Sequence, residues 1–255
     1  MQRRKFISTA ASAGLAAMPA VAAPANAIYE LRYYYLRTGS QTRRTEEFLS
    51  KCWLPAAQRL GIGPSGFFGA VIAPESPFVL GLTSYPSAAA FAESQTRLAE
   101  DKEFQRGFDE YNSATELSYI RMENSLLRAF DSRPALAVPF GHRGPGVFEL
   151  RTYESNNAKA GQRKIHMFNQ GEAAIFERLG MMPIFFGETL VGRNLPNLTY
   201  MLSFESMAAR DQLWKAFGSD PEWQKLRAQP GYADAEIVSN ISNSILRPLE
   251  FSPIR

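Results

Sequence analysis

Glu30, Arg32 and Tyr34 occupy alternate positions in the stretch IYELRYYYL, residues 28–36, and Glu149, Arg151 and Tyr153 do the same in VFELRTYES, residues 147–155. In an extended strand, residues two apart share a face. Each set therefore puts an acid, a base and a phenol side by side. Such a set can pair internally, because buried charges need partners, or it can hold an anion or a carbonyl oxygen. With Leu31 and Leu150 turned towards covering helices, the six polar residues would face the space between two sheets. They are the candidate ligand-binding residues.

His166 joins them as the one candidate for catalysis, as a general base or an axial metal ligand. It stands where the first copy of the sequence has Glu47, and the flanking Arg163 and Lys164 suit a solvated helix face equally well. The other histidine, His142, falls in a Pro- and Gly-rich stretch. Gly61-Ile-Gly63-Pro-Ser-Gly66 matches G-x-G-x-x-G, but a helix pattern precedes it and a strand pattern follows, the reverse of what a dinucleotide site requires. Phe67, Phe68, Met181, Met182, Phe185 and Phe186 cluster as core or as a pocket mouth. The lone Cys52 reads as a small apolar group on a helix. No His, Cys and carboxylate spacing for a metal, no Ser-His-Asp elbow and no phosphate loop occurs.

The elements that carry these residues come in two copies. Glu30 and Glu149 are 119 positions apart, and the same offset relates Arg59-Leu-Gly to Arg178-Leu-Gly, Asp101-Lys-Glu-Phe-Gln to Asp220-Pro-Glu-Trp-Gln, and Asn124-Ser-Leu-Leu-Arg to Asn243-Ser-Ile-Leu-Arg. Four matches in register mark a tandem duplication, with copies over 28–130 and 147–248 joined by the linker 131–146. Each copy predicts a strand (28–37), a helix (42–60), two strands (67–72 and 78–85), a helix (87–99) with a short extra turn capped by Asp101, and a last strand (119–128). Asp220-Pro221, the counterpart of that cap, is the better helix start. The order β-α-β-β-α-β is a ferredoxin-like α+β unit with helices on one face of an antiparallel sheet. Two such sheets facing each other would bury the open faces, so one chain is expected to form an intrachain dimeric α/β barrel.

The chain has 255 residues, 28 Lys and Arg against 25 Asp and Glu, and 45% hydrophobic residues. Residues 1–27 hold a twin arginine (Arg3-Arg4), a weak apolar run and Ala25-Asn-Ala27, and resemble a twin-arginine export signal. Periplasmic or other export with cleavage after Ala27 is the expectation. The segment contains three bases and no acid, so the remainder is formally neutral and has no charge to draw nucleic acid or an anionic membrane. No stable membrane anchor is expected.

Tyr-Glu-Leu-Arg-x-Tyr opening a strand, Phe204-Glu-Ser206 before a helix, Asp220-Pro-Glu-Trp223 and Asn243-Ser-Ile-Leu-Arg-Pro248 together resemble the NIPSNAP domain family. The first copy departs from this pattern at Pro86, Lys102, Phe104 and Ala129. The resemblance implies the dimeric α/β-barrel fold and no particular reaction. The wider barrel superfamily includes haem-dependent enzymes, cofactor-independent monooxygenases and isomerases, so haem is one cofactor it allows. Three readings stand: a protein binding a small, partly apolar molecule in the barrel, a barrel oxidoreductase or isomerase, or an interaction module, any of them compatible with a homo-oligomer.

Overall fold

The computed structural model describes residues 26–113, 115–138 and 146–255. Residues 1–25 of the export-signal pattern and His142 lie outside these residues. Eight strands form a closed barrel: β1 (Ile28–Tyr35), β2 (Ser65–Ile72), β3 (Phe78–Tyr85), β4 (Arg121–Ala129), β5 (Val147–Glu154), β6 (Met182–Val191), β7 (Asn197–Phe204) and β8 (Asn240–Pro248). Their order around the barrel is β1-β3-β2-β8-β5-β7-β6-β4, all pairs antiparallel. Each copy thus contributes four adjacent strands, and β2 with β8 and β4 with β6 form the two seams.

Helices cover the outside. In repeat 1 they are α1 (Ser40–Phe48), α2 (Leu54–Arg59), α3 (Ala88–Glu100) and α4 (Lys102–Ser113); in repeat 2, α5 (Ala158–Met167), α6 (Ala173–Arg178), α7 (Met207–Ser219), α8 (Pro221–Arg227) and α9 (Asp234–Ile237). A single π turn joins α1 to α2 (Leu49–Trp53) and another joins α5 to α6 (Phe168–Glu172), at positions 119 apart. The sequence supplies the ends. Ser87, Asn157 and Ser206 each accept a backbone N–H from the third residue on (Ala90, Ala160 and Ala209), the usual N-cap bond. Gly61 and Gly180, at φ +66° and +82°, close α2 and α6 in a conformation that costs other residues more.

One expectation fails here. The turn after Asp101 is α4, a full twelve-residue helix. Phe104, Phe108 and Tyr111 fall on one face at helical spacing and pack against Phe48, so the segment has an apolar stripe to bury despite Gly107. In repeat 2, by contrast, α8 spans only seven residues.

Three buried clusters result. One fills the barrel interior, with Tyr29, Leu31, Phe68, Leu82 and Leu127 of repeat 1 against Phe148, Leu150, Phe185, Met201 and Leu246 of repeat 2. The other two lie between each four-stranded face and its helices. β3 and β7, covered on both sides, are buried along their whole length. One end of the barrel is closed. Residues 131–138 run back over it, with Ala27 N–H donating to Pro134 O at 2.9 Å and Ala137 N–H to Ile184 O at 2.9 Å. The C-terminal residues do the same from the other copy: Phe67 N–H donates to Ser252 Oγ at 2.9 Å, and Ile254 is fully buried.

Candidate functional site

The two strand triads lie on the outside of the barrel, beneath the helices, not in the space between the sheets. The expected orientation is therefore reversed: Leu31 and Leu150 point inward, and the polar residues meet helices. A physical reason is visible in the partners. The closed half of the barrel interior is filled with apolar side chains, whereas the helix layer can bring its own donors to a buried acid.

In repeat 2 that supply is complete. Glu149 is fully buried and accepts from Arg151 Nη1 (2.9 Å), Arg210 Nε (2.9 Å) and Nη2 (2.7 Å), and Trp214 Nε1 (2.7 Å). Burial alone would raise its pKa, but the Arg210 bonds, the Arg151 charge and the Trp214 bond hold it below the usual carboxylate value. Arg151 also donates to Tyr153 OH at 3.2 Å, which receives the Tyr200 hydroxyl at 2.9 Å. Close by, Lys164 Nζ and Glu172 Oε2 form an ion pair at 3.0 Å, with both side chains at most 2% exposed.

Repeat 1 is looser. Glu30 accepts from Arg32 Nη2 (2.6 Å), Asn124 Nδ2 (2.9 Å) and Tyr85 OH (3.0 Å), all borne on strands. Phe91 and Gln95 replace Arg210 and Trp214 at the offset positions. Gly81 replaces Tyr200, so Tyr34 has no counterpart of the phenol that bonds Tyr153. Burial pushes the Tyr34 hydroxyl up in pKa, against the opposing pull of the Arg32 guanidinium. A crevice lined by Glu30, Arg32, Tyr34, Leu49, Trp53 and Gly81 remains there, with space of about 10 Å³ for water centres, the room of one water. These two triads organise charge between sheet and helices, and the crevice beside the first is too small for an organic ligand.

Two spaces exceed this crevice: a groove of about 520 Å³ between α1 and α4, lined mostly by charged residues such as Arg44, Glu47, Lys51, Glu103 and Arg106, and a cavity at the open end of the barrel, built by both repeats. The latter has about 340 Å³, at the lower end of the range for small-molecule sites. Leu31, Ser125 and Ser244 line its floor. Its walls differ. Repeat 1 presents Tyr33, Tyr35 and Phe78, with Tyr33 and Tyr35 stacked at 5.7 Å and Phe78 edge-on to both. Repeat 2 presents Thr152, Glu154, Thr189, Asn197 and Thr199. The hydroxyls form a chain: Thr152 Oγ1 and Thr199 Oγ1 are 2.8 Å apart, Thr199 Oγ1 is 3.4 Å from Asn197 Oδ1, and Thr189 Oγ1 donates to Asn197 Oδ1 at 2.6 Å. At the rim, Glu123 pairs with Arg121 and Arg193, Glu75 pairs with Arg121, and Glu154 accepts from Asn194 and Asn240. Exposed apolar residues recur near the strand ends in offset pairs: Val71 with Leu190, Ile72 with Val191, and Met122 with Ile241.

The NIPSNAP family model matches twice, over residues 29–133 and 148–253. The chain belongs to the NIPSNAP family. The two matched segments are the two repeats, each with four strands of the barrel. Solved structures with a similar fold include a candidate monooxygenase from Fusobacterium nucleatum subsp. nucleatum (9% identity, 89% of this chain and 94% of that one, TM-score 0.59). An anthrone oxidase-like protein is 11% identical over 88% of this chain and 92% of its own, with TM-score 0.54. A NIPSNAP family protein from Agrobacterium tumefaciens is 22% identical and matches 47% of this chain with 100% of its own, at TM-score 0.40. At these identities the likeness concerns the fold. No curated protein matches the chain.

His166 does not join either site of this NIPSNAP chain. It lies on the exposed face of α5, with Nδ1 hydrogen-bonded to the Tyr232 hydroxyl. The buried face of that helix carries Lys164 and Met167. A haem held by His166 would rest on the protein surface, outside the sheet-helix layer, so the residues present do not fit that group. The cluster Phe67, Phe68, Met181, Phe185 and Phe186 is core, fully or almost fully buried, with Met182 half-buried beside it. Among the described residues no group of three or more metal-capable side chains comes together, and no helix is long and apolar enough to cross a membrane.

The barrel mouth is what sequence reasoning missed. Its signal was nonetheless present in the offset comparison: Tyr33 against Thr152, Tyr35 against Glu154, Phe78 against Asn197, Leu80 against Thr199, and Ala70 against Thr189. Every one of these inward positions is aromatic or apolar in repeat 1 and polar in repeat 2.

Proposed function

We propose that this NIPSNAP protein binds a small, partly apolar molecule in the open mouth of its barrel. The observation that carries the reading is a 340 Å³ cavity built by both repeats, with the aromatic patch of Tyr33, Tyr35 and Phe78 on one side and the hydrogen-bonding Thr152, Thr189, Asn197 and Thr199 on the other. Ligand sites of this size are mostly apolar with a few placed polar groups. An oxidoreductase or isomerase acting at Glu30, Arg32 and Tyr34 would need substrate where there is space for one water; the mouth needs no rearrangement. In this reading each repeat is a ferredoxin-like unit, and the chain works after export by the twin-arginine route, with Ile28 as its new N-terminus and the barrel end closed without the Ala27 bonds to Pro134 and Ala129.

The test is a ligand-observed NMR screen of fragments against the wild type and Ser244→Trp, which fills the mouth from its floor. Fragments that bind the wild type and are lost in a folded Ser244→Trp variant are the expected result. An absence of hits, or hits retained by the variant, overturns the assignment. The mass of exported protein checks the export reading separately.

A further inference from the structure

The difference between the two walls says more than that something binds. Tyr33, Tyr35 and Phe78 offer ring faces and edges at about the spacing of packed aromatic pairs. Opposite them the chain Thr152–Thr199–Asn197–Thr189 ends at Thr152, which is half-buried where the others are buried. A hydroxyl there can still accept or donate to a ligand atom.

Charge narrows the class. The rim holds the carboxylates of Glu75, Glu123 and Glu154 against the guanidiniums of Arg121 and Arg193. Both arginines are engaged with carboxylates, and Arg121 also lies 3.9 Å from the Tyr35 ring centre. Among the described residues of the rim, both guanidiniums are thus taken by carboxylates, and the local excess of acid opposes a ligand anion. The carboxylates are in turn satisfied: Glu123 has two arginine partners, and Glu154 accepts from Asn194 Nδ2 at 3.1 Å and Asn240 Nδ2 at 2.9 Å. A ligand cation would compete with these bonds for its counter-charge.

We infer that the ligand of the mouth is an uncharged aromatic molecule of one or two rings that carries a hydroxyl or carbonyl group, its ring on Tyr33, Tyr35 and Phe78 and its oxygen at Thr152. The inference rests on the mouth being the binding site and adds the chemical class.

The probes are 2-naphthol, 2-naphthoate, 2-naphthylmethylammonium and 1-decanol, titrated calorimetrically into the full chain. 2-Naphthol should bind at least about tenfold more tightly than the other three. Thr152→Val should weaken it by about fivefold, as expected for one lost hydrogen bond, and Tyr33→Leu by a similar factor for a lost ring contact. Thr152→Val keeps the size of the side chain, and circular dichroism confirms that each variant is folded. If decanol, naphthoate or the ammonium binds as well as naphthol and Ser244→Trp abolishes it, the aromatic neutral class is wrong while the mouth still stands as the site. If none of the four binds, or naphthol is unaffected by Ser244→Trp, both readings fall.

Discussion

Repeat 1 and repeat 2 bury the same Glu-x-Arg-x-Tyr face under helices, but they solve the burial differently. Repeat 2 brings Arg210 and Trp214 from α7 onto Glu149 and fills the space beside Tyr153 with Tyr200. Repeat 1 satisfies Glu30 from its own strands and leaves Gly81 where Tyr200 would be. The inner faces have diverged in the opposite sense: there repeat 1 carries the bulky aromatic residues and repeat 2 the small polar ones. Packing is thus heaviest on the outside of one repeat and on the mouth wall of the other.

If the outer faces differ as described, Glu149→Gln should cost the most, about 4 kcal/mol in urea denaturation, because it takes the buried carboxylate from two half-buried guanidiniums. Tyr200→Ala should follow at about 3 kcal/mol through the cavity it opens and the lost Tyr153 bond. Glu30→Gln should cost less, about 2 kcal/mol, since Asn124 and Tyr85 can still bond an amide. Equal losses at Glu149 and Glu30 would break the comparison.

Acid provides a further distinction. Glu149 has a folded pKa below its unfolded value of about 4.3. Its contribution is fully present above that value and is lost as pH falls through the folded pKa. The stability gap between wild type and Glu149→Gln should therefore shrink as pH is lowered from 5 towards the folded pKa; a gap that stays constant or widens in pH-dependent denaturation would contradict the ion network. The smallest expected effect on stability, below about 1 kcal/mol, is that of Thr152→Tyr at the half-buried mouth position. It copies the repeat 1 residue and should reduce the cavity and weaken small-molecule binding without unfolding the chain, as read by melting temperature and calorimetry together.

The duplication, the element order and the closed barrel were legible because the 119-residue offset preserves motifs at the strand and helix ends, where caps and turns restrict residue choice. The facing of β1 and β5 was not. Both faces of these strands are buried, so alternation of Glu and Arg with Leu and Tyr marks two faces without saying which is inside. The deciding partners, Arg210 and Trp214, lie about sixty residues away from Glu149. α4 was underestimated because Gly107 interrupts its pattern; the helix holds through Phe104, Phe108 and Tyr111. The mouth could have been found by comparing inward positions across the offset, but only after knowing which positions face inward.

The two seams of the barrel, β2 with β8 and β4 with β6, lie within a single polypeptide. In a barrel assembled from identical subunits, every substitution appears on both walls at once, so an aromatic wall cannot face a hydroxyl one. Dilution would also separate such halves. Here the covalent connection keeps the second half permanently in reach, and each wall can be altered alone. The fusion makes asymmetry heritable: a single codon change can adjust one side of the opening while leaving its opposite unchanged.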